Sequence, residues 1–138
     1  SADKPATWLY YPVSEKVGCI PTRPMPFITL AFANPVTGRE ASFREWYSTQ
    51  HIRHALNVPG LINGQRFELT EFQQPGAANP GYESIAVYEQ DCTPDQMIKS
   101  IGELVAAGVL YLSETLDLER FTEWVYCPLT ERLSNHDG

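Results

Sequence analysis

Cationic side chains are scarce in this chain, and they are scattered. Ten Lys and Arg stand against 17 Asp and Glu, a formal net charge of −7 in 138 residues. Nucleic-acid binding needs a basic footprint, and no cluster of Lys or Arg supplies one. Cysteine is also sparse: Cys19, Cys92 and Cys127 are odd in number, widely spaced and form no CxxC. They imply neither a disulfide framework nor a zinc site and read as reduced thiols used for packing. No apolar run approaches the ~20 residues of a membrane span. A basic-then-apolar leader is missing as well, so the expectation is a cytoplasmic protein with no membrane partner. Repeats and low-complexity tracts are absent.

What is there is an ordinary globular composition, 43% apolar and 20% charged, with a length that fits one domain. The first 25 residues read as an arm, because prolines at 5, 12, 21 and 24 break any helix. Within it Trp8-Leu9-Tyr10-Tyr11 has the makings of a short strand that packs against something. Phe27–Ala33 is a strong strand closed by Asn34-Pro35. Ser42-x-x-Glu45 has the form of a capping box and places a helix from about Phe43 to Val58. Pro59-Gly60 stops it. Leu61–Phe72 and Tyr82–Glu89 follow as strands around a loop rich in Pro and Gly. Thr93-Pro94-x-Gln96 starts a second helix that runs to about Ala107, with Gly108 as terminator. Arg120–Cys127 is the last strand, stopped by Pro128, and residues 129–138 form a tail. The order over residues 26–128 is β-α-β-β-α-β, the α+β ferredoxin-like pattern: a four-stranded antiparallel sheet with two helices on one face.

Two helices cover only one face of such a sheet. Side chains alternate across it, so each strand splits into two files. Ile28, Leu30 and Phe32, with Phe67, Leu69, Ile85 and Val87, are strictly apolar and are expected against the helices. The other file holds Thr29, Ala31, Ala33, Arg66, Glu68, Ala86 and Tyr88, a mixture unlike a solvated face or a dry core. It is expected to close around a partly polar cavity by dimerisation. In the last strand either Trp124 and Tyr126 or Phe121 and Val125 face that cavity.

Two of the three histidines lie on the first helix, and histidine is the usual proton-transfer side chain near neutral pH. At 100° per residue Phe43, Tyr47, Gln50, His54 and Val58 share a face with His51 at its edge, while Ile52, Ala55 and Leu56 lie opposite. The apolar stripe changes phase just after Ser48-Thr49. Either the helix distorts there and turns His51 toward a pocket, or both faces of its second half are covered. His51 and His54 have no third ligand at a recognisable spacing, so no metal is expected. His136 lies near the terminus and is given no role.

The pattern Phe43-x-x-Trp46-Tyr47-x-x-x-His51, then Leu56-x-Val58-Pro59-Gly60, then Gln65-Arg66-Phe67, resembles the EthD-like branch of the dimeric α+β barrel superfamily. The resemblance implies a ferredoxin-like subunit whose sheet pairs in a homodimer to form a barrel. It also implies a pocket between sheet and helices for a compact aromatic or polyketide-like molecule. His51 matches the family histidine and becomes the leading catalytic candidate; His54 and the N-terminal arm lie outside the pattern.

The expected activity is proton-transfer chemistry without a cofactor, such as isomerisation, cyclisation or elimination. His51 would be the general acid or base, assisted by Arg66 or Tyr88. Arg66 can clamp a carboxylate or stabilise an enolate, and Glu68 can neutralise it or act as base. Thr29, Tyr47 and His54 complete the expected substrate contacts, with Trp124 and Tyr126 as an aromatic wall. The rival readings are a monooxygenase, cofactor-free or haem-linked through His51, and a non-catalytic binding or stress protein.

Overall fold

The hairpin loops and helix stops anticipated from Pro and Gly organise one antiparallel sheet, seen in a computed structural model that describes residues 6–135. The strands are β1 (Tyr10–Pro12), β2 (Val17–Gly18), β3 (Phe27–Ala33), β4 (Leu61–Leu69), β5 (Ser84–Gln90) and β6 (Thr122–Tyr126). Their order across the sheet is β1-β4-β5-β3-β6, with β2 also paired to β4. The sheet therefore has six strands where four were expected, because the arm contributes two. Trp8 Nε1 donates to the Ala78 carbonyl at 2.7 Å and Tyr10 Oη to that of Tyr82 at 2.7 Å. The arm thus satisfies the open hydrogen-bonding edge of β4.

The first helix departs from expectation at both its start and its middle. It begins at Glu40, with Arg39 in the capping position and no side-chain cap, so Ser42 lies inside it. The segment α1 (Glu40–Trp46) runs into a π-helical turn (Tyr47–His51), then α2 (Ile52–His54) and a 3-10 turn (Ala55–Asn57). The Ile52 amide donates to the Tyr47 carbonyl five residues back. That extra residue resolves the change of phase in the apolar stripe: Phe43, Trp46 and Tyr47 are buried before it, Ile52, Ala55 and Val58 after it. Thr49 Oγ1 donates to the Glu45 carbonyl at 2.6 Å, the kind of back-bond that loosens a helix. The second helix, α3 (Pro94–Ala106), starts where the sequence indicates. Thr93 accepts from the Gln96 amide, and the Gln96 side chain returns the bond to the Thr93 amide.

The helices cover the opposite face of the sheet from the one expected. Thr29, Ala31, Ala33, Arg66, Ser84, Ala86, Tyr88 and Gln90 are buried. The strictly apolar file of Ile28, Leu30, Phe32, Phe67, Ile85 and Val87 is only half-buried, on the open face. Cross-strand register extends that open face to β6, since Leu30 pairs with Trp124 and Ile28 with Tyr126. The reason is volume. Phe43, Trp46, Tyr47 and Ile52 descend from the first helix, and only small sheet residues such as Ala31, Ala33 and Ala86 leave room for them. Of the cysteines only Cys92 is buried; Cys19 and Cys127 are exposed and do no packing. Among the described residues no helix is long and apolar enough to cross a membrane.

Candidate functional site

Between the sheet and the helices lies a cavity of about 290 Å³. Its floor is Thr29 and Ala31 of β3, Tyr88 of β5 and Glu123 of β6; its walls include Tyr47, His51 and Ala55 of the first helix. Met97 and Ile101 of α3, and Leu110, Leu112 and Leu116 after it, complete an apolar enclosure. The floor is hollow because Ala31 and its register partner Ala86 offer only methyl groups, with Glu123 beside Ala31 on the other side. Tyr88 is seated by Gly64, its partner on β4. A Cβ on Gly64 would come within 2.8 Å of the Tyr88 ring, so this close approach requires glycine.

His51 is delivered to the wall by the π-turn. Its ring stacks on Trp46 with centroids 4.6 Å apart and meets Tyr47 edge-on at 5.1 Å. The Nδ1 atom is buried with no hydrogen-bond partner. Desolvation, and then the neighbouring His54, hold its pKa down at about 4, so the imidazole is neutral at physiological pH. The buried phenols of Tyr47 and Tyr88 lie close enough to influence each other's ionisation. Burial raises both phenols, Tyr47 to about 12, and the nearby Glu123 carboxylate pushes in the same direction. Thr29 Oγ1 bonds to Gln90 Oε1 and lies 3.6 Å from Met97 Sδ.

Four of the residues expected at the site therefore meet here: His51, Tyr88, Tyr47 and Thr29. Five do not. Arg66 is fully buried but does not line the cavity. Its Nη1 donates to Ser48 Oγ at 2.7 Å and its Nη2 to Ser84 Oγ at 3.0 Å, while its guanidinium lies 4.7 Å from the centre of the Tyr47 ring. Arg66 thus pins the π-turn from below and holds Tyr47 rather than a substrate. Glu68 is taken up by Arg44 at 3.5 Å and Arg66 at 3.7 Å, which leaves it the neutralising role. His54 turns toward Tyr111, with ring centroids 6.3 Å apart. Trp124 and Tyr126 are about half exposed, at 57% and 52%, on the far face of the sheet. His136 lies outside the described residues.

Glu123 is the residue that sequence reasoning passed over. As a residue it reaches solvent, yet the packing around its carboxyl raises its pKa by desolvation. No salt bridge engages it among the described residues. The signal was its alternation with Phe121 and Val125, legible only once the inward file of β6 was known. Among the described residues no group of three or more His, Cys, Asp or Glu is placed to hold a metal ion. Comparison of the chain with protein-family models, curated proteins and solved structures yielded no match.

Proposed function

We propose that this protein is a small enzyme that carries out proton-transfer chemistry on a compact ring-containing molecule held between sheet and helices, with His51 as an acid–base group. The observation that carries this reading is a neutral, unpaired imidazole in the wall of a largely apolar cavity, beside the two buried phenols of Tyr47 and Tyr88. A desolvated Nδ1 without a partner is costly in a folded protein, the kind of cost that is kept where a side chain does chemistry. The phenol pair supplies donors for a carbonyl or enolate oxygen in a site where water does not compete. Isomerisation, cyclisation and elimination all need only this machinery.

The finer fold assignment belongs to the same proposal. Leaving aside the arm, the order β4-β5-β3-β6 with helices after β3 and β5 supports reading the domain as a ferredoxin-like unit. Support for an EthD-like relationship comes from Phe43, Trp46, Tyr47 and His51, which cluster beside the cavity. Homodimerisation through the open sheet face is favoured by the apolar file exposed there.

The test is a panel of uncharged ring ketones, lactones and phenols, read first by thermal shift, because a ligand of the folded state raises the midpoint. With a turned-over compound in hand, His51→Ala is expected to lower turnover by about 10² to 10⁴ while ligand-free stability changes little. Undiminished turnover in that variant would remove His51 from the mechanism.

A further inference from the structure

Two arginines lie beside Tyr47 and Glu68, and both are already engaged. Arg66 is held by Ser48, Ser84 and the Tyr47 ring, and Arg44 by Glu68 and Glu83. Among the described residues no Lys or Arg lines the cavity, whereas the Glu123 carboxylate does. An anionic ligand would be repelled by the Glu123 carboxylate, and no cation among the lining residues offsets that repulsion. Glu123 has no ion pair among the described residues, unlike Glu68, and lies close enough to Tyr47 and Tyr88 to perturb both phenols. It rises from the sheet floor while His51 comes down from the helix wall. Two proton-transfer groups thus approach a bound ring from different sides.

We propose that Glu123 is the carbon base of this site and that its substrates are uncharged ring compounds with an acidic C–H next to a carbonyl. This rests on the reading of the cavity as a proton-transfer site. In the step, the Glu123 carboxylate takes the proton from the carbon next to the carbonyl. The C–H electron pair becomes the new C=C bond, and the carbonyl π pair moves onto oxygen as an enolate. Tyr88 and neutral His51 hydrogen-bond that oxygen. Glu123 then returns the proton to the same carbon, which gives exchange alone, or to the far end of a conjugated system, which gives isomerisation; neither outcome needs a redox partner. A carboxyl with a raised pKa is a stronger base than an ordinary one, which suits this role. The cavity volume, near the lower end of the roughly 300–1,000 Å³ usual for ligand sites, limits the ring system to a compact one.

The experiment uses 2-tetralone, an uncharged bicyclic ketone, as the probe. Protein-catalysed exchange of its acidic C–H for deuterium is followed by NMR, and its binding is measured alongside. Wild-type protein is expected to accelerate exchange, and Glu123→Gln to reduce the acceleration by about 10² to 10⁴ with binding retained. In the wild type, 2-naphthol should bind at least about tenfold more tightly than 2-naphthoate, and Glu123→Gln should narrow that gap. Exchange that survives in Glu123→Gln but is lost in His51→Ala overturns the base role while leaving the site reading intact. Failure of the wild type to bind 2-tetralone and 2-naphthol overturns both, and binding without exchange overturns the base role. Should Glu123→Gln not fold, the wild-type pH profile decides: exchange must rise through one ionisation above the usual carboxylate range, and a flat profile overturns the proposal.

Discussion

The two faces of the sheet are built on opposite plans. The face against the helices is made of alanines, serine, threonine, glutamine, tyrosine and a buried arginine, yet it is the dry one. The open face carries Ile, Leu, Phe, Val and Trp, yet it is half-exposed. Hydrophobicity alone thus does not say which side of a strand is the core. On the helix side, bulk comes from the helix, and the sheet supplies small residues and hydrogen-bonding groups that leave a hollow. On the open side the sheet supplies all the bulk, which is the composition of a surface that takes cover from another molecule.

Removing the helix's bulk should have the largest effect. Phe43 packs on Tyr47 and under the Arg66 guanidinium, 5.7 Å from its ring centre. Phe43→Ala should cost about 3–5 kcal/mol in denaturant unfolding, independent of protein concentration. A loss below 1 kcal/mol would show that the helix side is not the main core.

The dryness of that side can be read from acid stability. The unfolded chain protonates His51 near 6.5, the folded one only near 4. Between those values the unfolded state binds more protons, so stability is complete above pH 6.5 and is lost as pH falls toward 4. The His51 contribution is on the order of 3 kcal/mol. Glu123 contributes with the opposite sign, because its folded pKa is raised. His54, Tyr47 and Tyr111 remain in both proteins. The pH slope of wild type minus that of His51→Gln therefore isolates His51, and equal slopes would mean that its imidazole is not desolvated.

On the open face the expected result is different in kind. If a second copy covers it, Leu30→Glu should weaken self-association at least about a hundredfold by sedimentation, with the protomer still folded. An unchanged monomer in both proteins would leave the apolar file without a homodimeric explanation. The smallest effect belongs to Trp124→Ala, which should alter 2-naphthol binding in the cavity by less than about threefold, since a whole sheet separates them. A larger loss would mean that the two faces communicate.

Much of this was legible in the chain. Pro59-Gly60, the Thr93 capping box and the alternation of β3 and β5 marked the elements, because turn and cap chemistry are local. The change of phase after Ser48-Thr49 left open either a distortion or coverage of both faces, and the π-turn is the distortion; the pattern of Phe43, Trp46, Tyr47 and His51 drew attention to the histidine that lines the cavity. Less was legible where long-range packing decides. Ser42 reads as a cap, but the Gly38-to-Glu40 turn starts the helix earlier. Arg66 and Glu68 read as chemistry, but Ser48, Ser84 and Arg44 occupy them.

Sequence alone determined which residues share a file, since alternation along a strand is a local property with period two. It determined the order of the four central strands and two helices, because their turns and caps are local, but not the second strand of the arm. Only the tertiary structure decided which file faces the helices, and with that whether Glu123 or Trp124 belongs to the cavity. That choice depends on how much volume the first helix lowers onto the sheet, and Phe43, Trp46, Tyr47 and Ile52 fill the space that Ile28, Leu30 and Phe32 would otherwise have taken.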